Sequence, residues 1–221
     1  MNGQAITRRP HVAPDRWEAA VCSWPDNEAR GWARDLMRAA RQNGAVNAVV
    51  ATGSAVRDVD RSDDLDLVLV YQAARPPLPR PPISVDLRCY GQADVSARLT
   101  AGHSYLSWAV RFGRVLFERD QWWSKLRAEW NDRLLLPSAA EAIERAQRAE
   151  RQRDGLAAAG DDDAAAELQL AALTHRARAA LTRSGVFPQS RPELAAQLCR
   201  IGENALAERL GEALARRSLL S

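Results

Sequence analysis

The chain has 221 residues, 46% of them hydrophobic and 27% charged, which excludes both a disordered chain and a disulfide-stapled mini-protein and leaves ample length for a buried core. Its 31 basic side chains against 28 acidic ones leave a formal charge of +3, too balanced for a protein whose main task is to coat nucleic acid. Cys22, Cys89 and Cys199 have neither zinc-site spacing nor the even count of a disulfide framework, so buried free thiols are expected.

The first 18 residues carry no apolar stretch and no later run approaches membrane-spanning length, so a cytoplasmic protein without a membrane partner is expected. Residues 28–42 place Trp32, Leu36, Met37 and Ala40 at helical spacing, and Asn43-Gly44 marks the stop. Val46–Ala51 reads as a buried strand that breaks into a turn at Thr52-Gly53-Ser54. Asp64–Tyr71, DLDLVLVY, is a second strand. Five prolines between Gln72 and Pro82 enforce a loop before a third strand at Ile83–Tyr90.

From about Ala93 the pattern turns helical: 93–99 and 104–113, a short strand at Arg114–Phe117, then 121–133 and 138–153. Gly155, Gly160 and Asp161–Asp163 interrupt the helices, the three aspartates capping a long helix over 164–183. Two short helices near 192–200 and 203–218 complete the chain. Trp108, Trp122, Trp123 and Trp130 are expected to pack where the two parts meet. The spacing thus predicts an α+β protein, with a unit of strands and helices over residues 1–120 and an α-helical bundle domain over 121–221.

Three features of the first part bear on chemistry: Gly53-Ser54, the pair Asp64 and Asp66, and Asp86 between Val85 and Leu87. Residues two apart on a strand share a face, so Asp64 and Asp66 project together while Leu65 and Leu67 enter the core. Carboxylates so close repel one another and raise a pKa unless a cation joins them. If the third strand pairs with the second, Asp86 presents a third carboxylate, and three hard oxygen ligands suit Mg²⁺. The Gly-Ser turn offers backbone N–H groups and a hydroxyl to a polyphosphate, and Arg57 can add a charge-assisted contact. An Asp-x-Asp pair alone is commonly a solvated strand face; the turn and the third apolar-flanked aspartate set this one apart.

The order Gly53-Ser54, Asp64-Leu65-Asp66, Val85-Asp86-Leu87 resembles the signature of the DNA polymerase beta-like nucleotidyltransferase superfamily, especially its minimal nucleotidyltransferases, and GSAVRDVDRSDDLDLVLV is similar to their segment throughout. The helical remainder looks like the C-terminal bundles of kanamycin nucleotidyltransferase-like enzymes. The resemblance implies a small mixed-sheet domain in the first unit, a polymerase beta-like palm, with two Mg²⁺ ions held by Asp64, Asp66 and Asp86, Asp86 also acting as general base. It likewise implies an NTP co-substrate, ATP among the candidates, whose triphosphate lies on Gly53, Ser54 and Arg57. Asp58 departs from the glycine usual after that arginine, and Asp63 makes the carboxylate pair ambiguous. The acceptor is open: a small molecule such as an aminoglycoside, which calls for an acidic cleft, a partner protein, or a tRNA 3′ end. A catalytically inactive module of the same fold is the alternative function. Arg98 and His103 match the spacing of an RNA-cleavage motif but sit at a helix break, where a structural role is expected; Arg111 and Arg114 are further candidates for substrate contact.

Overall fold

The computed structural model describes residues 16–57 and 62–220, with the side chains of 218–220 left aside. Helix α1 (Asn27–Gln42) begins where the Asp26 side chain accepts a hydrogen bond from the Ala29 amide, satisfying one orphan donor of the first turn. It leads into β1 (Val46–Thr52), every residue of which is buried. Strands β2 (Leu65–Tyr71) and β3 (Val85–Gly91) follow, joined by the proline-rich loop. The remaining elements are α2 (Gln92–Thr100), α3 (Ser104–Phe112), β4 (Arg114–Glu118), α4 (Trp122–Trp130), α5 (Ala139–Ala158), α6 (Asp162–Arg183), α7 (Leu194–Arg200) and α8 (Asn204–Leu220).

The four strands form one mixed sheet in the order β3-β2-β1-β4. β1 runs antiparallel to both β2 and β4, whereas β2 and β3 are parallel. Alternation along LDLVLVY divides the side chains between two cores. Leu65, Leu67 and Leu69 pack with Leu36 and Met37 of α1 on one face, while Val68 and Val70 join Leu99 of α2, Leu106 and Val110 of α3, and Trp123 of α4 on the other. A sheet covered on both faces explains the unbroken burial of β1. A third cluster holds α6, α7 and α8 together through residues such as Leu170, Leu181, Leu194, Leu198 and Leu210. The chain is therefore α+β, a mixed sheet followed by helices, as its pattern of elements indicates.

Several local expectations need correction. Gly155 does not interrupt α5, which continues to Ala158; one glycine costs a helix only about 1 kcal/mol, and the stop comes at Gly160, which adopts φ +81°. Cys22 and Cys199 are free but exposed, and Cys89 is partly exposed. Trp122, Trp123 and Trp130 pack onto the sheet rather than at the junction. There the aromatic contact is Phe112 against Phe187, at 5.8 Å between ring centroids, and Trp108 packs against Phe112 at 5.0 Å. Asp161 caps α6 as expected, accepting from the Ala164 amide. No helix among the described residues is long and apolar enough to cross a membrane.

Candidate functional site

Because β1 and β2 are antiparallel and β2 and β3 parallel, the C-terminal end of β1 and the N-terminal ends of β2 and β3 meet at one end of the sheet. The residues singled out in the sequence cluster there. Asp66 pairs with Asp86 in the parallel register and with Thr52 in the antiparallel one, so the two carboxylates leave neighbouring strands on the same face, that of α2, α3 and α4. Asp64 lies just before β2 and is exposed. Gly53 adopts φ +75°, ψ −157°, a region essentially reserved for glycine. A Cβ there would stand 2.3 Å from Asp66 Oδ2, so the bare backbone is what admits the carboxylate.

Hydrogen bonds brace this end. The Ser54 and Ser62 hydroxyls are 2.8 Å apart, and Ser62 donates to the Asp64 carbonyl at 2.7 Å. The amides of Cys22 and Ser23 both donate to the Ala55 carbonyl, and the Ser62 amide donates to Ser23 Oγ. Ser54 thus connects the glycine turn to the start of β2. Asp63 forms an ion pair with Arg217 of α8 at 3.0 Å, which leaves Asp64 as the aspartate beside Asp66. Asp58 lies outside the described residues.

Burial, then the charges of Asp64 and Asp86, push the Asp66 carboxyl up to about 7. Asp64 is also raised: the residue is exposed overall, yet the protein on one side partly desolvates its carboxyl, and Asp63 and Asp86 add repulsion. Asp86 Oδ2 accepts from Arg88 Nε at 3.0 Å and Nη2 at 2.7 Å. The Arg88 guanidinium lies 4.0 Å from the centroid of the Tyr105 ring, a cation–π contact. The Tyr105 hydroxyl is buried beside Asp66, close enough to donate towards its carboxylate and partly counter the upward shift. Tyr105 and Arg88 were not singled out by the sequence; an aromatic on a helix and an arginine two residues past Asp86 are too common to signal a site.

Other candidates are placed differently. Arg57 donates to both Glu193 oxygens, at 3.0 and 2.9 Å through Nε, and lies 5.3 Å from the centroid of Phe112. His103 Nδ1 accepts from the Leu106 amide at the start of α3; burial and Arg98 lower its pKa, in keeping with a neutral ring, and Arg98 stacks over Tyr90. Both are structural. Arg111 donates to the Asn131 carbonyl, and Arg114 is exposed on the edge strand.

The donor chemistry around Asp66 fits a hard divalent cation: neighbouring carboxylates, one of them desolvated, that repel one another in the absence of positive charge. As arranged, no three His, Cys, Asp or Glu side chains converge on one point among the described residues, and Asp86 is held by Arg88. A pH dependence follows for the metal-free protein. The folded-state pKa of Asp66 is above the unfolded one, so the folded state binds more protons between about pH 4 and 7, and stability falls across that window as pH rises. The melting temperature in metal-free buffer is expected to drop from pH 5 to pH 8, and Mg²⁺ to restore it more at pH 8 than at pH 5. An Mg²⁺ effect that is equal at both pH values contradicts cation binding at Asp66.

No protein-family model matches the chain, and no curated protein does. Among solved structures, it is similar to a nucleotidyltransferase-like protein from Exiguobacterium sibiricum 255-15, with a TM-score of 0.35 and 17% identity over 84% of this chain and 71% of that one. At that score and identity the likeness assigns neither substrate nor activity.

Proposed function

We propose that this chain is a Mg²⁺-dependent nucleotidyltransferase that moves a nucleoside monophosphate from an NTP to an acceptor hydroxyl and releases pyrophosphate. The observation that carries the reading is Asp66 and Asp86 opposite one another in the parallel ladder, with the Gly53 backbone pressed against the Asp66 carboxylate. Asp64 and Asp66 would hold the cation, with Asp86 joining them. Bound there, the metal would offset charge developing on the α-phosphate and the leaving group.

The chain's own groups supply the rest. The N–H groups of the Gly53-Ser54 turn and the Arg57 guanidinium bind the triphosphate. Asp86 Oδ1, which makes no hydrogen bond among the described residues, takes the acceptor's proton while Arg88 holds Oδ2. The acceptor oxygen forms the new P–O bond, and the bond to pyrophosphate breaks. Residues 1–120 carry the chemistry in this reading, and 121–221 wall the acceptor side. Incubation with each labelled NTP, Mg²⁺ and candidate acceptors (small molecules, a partner protein, tRNA) tests it; no transfer from any NTP, including self-labelling, counts against it.

Arg57 must exchange Glu193 for phosphate. Glu193→Gln is therefore expected to lower the KM for the nucleotide by about tenfold, the size of one charge-assisted hydrogen bond of roughly 1.5 kcal/mol, with kcat little changed. An unchanged KM indicates that Arg57 does not touch the nucleotide. A second reading, a catalytically idle binding module, is favoured by one observation: Arg57 and Asp86, two groups assigned to substrate contact, both rest in ion pairs. Thermal shift separates the two. Metal-dependent stabilisation by one NTP, together with transfer, supports the enzyme; stabilisation without transfer supports the module.

A further inference from the structure

Asp66 and Asp86 are fixed by the ladder that pairs them, but Asp64 lies outside it. The first paired residue of β2 is Leu65, whose amide donates to the Ser84 carbonyl at 2.8 Å. What holds the main chain of Asp64 is Ser62, only 2% exposed, whose hydroxyl donates to the Asp64 carbonyl at 2.7 Å. Ser62 is anchored in turn. Its amide donates to Ser23 Oγ at 3.1 Å, and the Ser23 amide donates to the carbonyl of Ala55, the neighbour of Ser54. These bonds join the segment before α1, the glycine turn and the start of β2.

Counting protons gives the contact between the two serines a direction. A serine hydroxyl has one proton to donate, and a carbonyl has none. The Ser62 proton goes to the Asp64 carbonyl, so across the 2.8 Å between the hydroxyls Ser54 is the donor. Turning the Ser54 proton towards a phosphate oxygen would set the two serine oxygens lone pair to lone pair at that distance. Turning the Ser62 proton back to Ser54 relieves the contact but takes the donor from the Asp64 carbonyl. Either change gives up a hydrogen bond that the present arrangement makes, which offsets the gain at the phosphate.

We propose that Ser62 is a positioning residue that fixes Asp64 through its carbonyl, and that the Ser54 hydroxyl serves Ser62 rather than the triphosphate. This rests on the nucleotidyltransferase reading, in which Asp64 helps to hold the cation while the N–H groups of the turn and Arg57 bind the phosphates. It departs from the resemblance, which puts Ser54 itself on the triphosphate.

The test uses the full chain, with circular dichroism to show that each variant is folded. Mn²⁺ alone, a probe for oxygen-ligand sites, is titrated in nucleotide-free buffer and the free ion counted by electron paramagnetic resonance. Ser62→Ala is expected to weaken Mn²⁺ binding about tenfold, and to add little further loss in an Asp64→Asn background, because both act through one carboxylate. In transfer assays Ser62→Ala is expected to lower kcat about tenfold, and Ser54→Ala about threefold, each with the nucleotide KM unchanged. Unchanged Mn²⁺ affinity in folded Ser62→Ala overturns the positioning role. A nucleotide KM raised about tenfold by Ser54→Ala but not by Ser62→Ala overturns the assignment of the Ser54 hydroxyl. Should Ser62→Ala not fold, Ser62→Cys, with a weaker donor, takes its place and is expected to show a smaller loss in the same direction. If no NTP is turned over, the nucleotidyltransferase reading fails by itself; the Mn²⁺ titration still decides Ser62, and the nucleotide Kd replaces KM for Ser54.

Discussion

Replacing Asp66 by Asn is expected to lower nucleotidyl transfer roughly a thousand-fold or more while leaving the protein folded. The side chain keeps its shape but loses the charge that a cation needs, and Asp64 and Asp86 do not replace it, since Asp64 is less desolvated than Asp66 and Asp86 is paired with Arg88. Stability is expected to move the other way. In metal-free buffer at pH 8, wild-type Asp66 is ionised against two neighbouring carboxylates, and Asn removes that repulsion. Asp66→Asn should therefore melt above the wild type at pH 8, and the difference should shrink towards pH 5, where the wild-type carboxyl is protonated. Transfer assays with a panel of NTPs, together with melting curves at both pH values, check the pair of outcomes. Wild-type transfer by Asp66→Asn rules out the assignment of this carboxylate.

Gly53→Ala carries the second large effect and acts through backbone geometry. The residue occupies φ +75°, ψ −157°, where a side chain costs about 1–3 kcal/mol, and its new Cβ would lie 2.3 Å from Asp66 Oδ2. Either the turn or the carboxylate must move. Urea unfolding should show a loss of about 1–3 kcal/mol, and transfer should fall about a hundredfold through misplacement of Asp66. Because both losses of activity run through one carboxylate, Gly53→Ala should add little further loss in an Asp66→Asn background. Full additivity in that double variant separates the glycine from Asp66 function.

Much of the fold was legible because both cores are written as local periodicity. The alternation in LDLVLVY sends Leu65, Leu67 and Leu69 to α1 and Val68 and Val70 to the opposite helices, and the apolar spacing of 28–42 settles which face of α1 is buried. The helix ends were legible where capping chemistry is local, as at Asp161. Gly155 misleads because one glycine inside a long helix packed against a neighbour costs too little to break it.

The sequence by itself determined which side chains leave the strands together, because a period of two is a property of each strand alone. It also determined that Gly53 stands at a strand-to-turn break, close in the chain to Asp64 and Asp66. Only the tertiary structure decided that β2 and β3 run parallel with Asp86 opposite Asp66, and that Arg57 meets Glu193 across 136 residues of chain. These pairings are set by how separate elements pack against one another, and no local spacing encodes them.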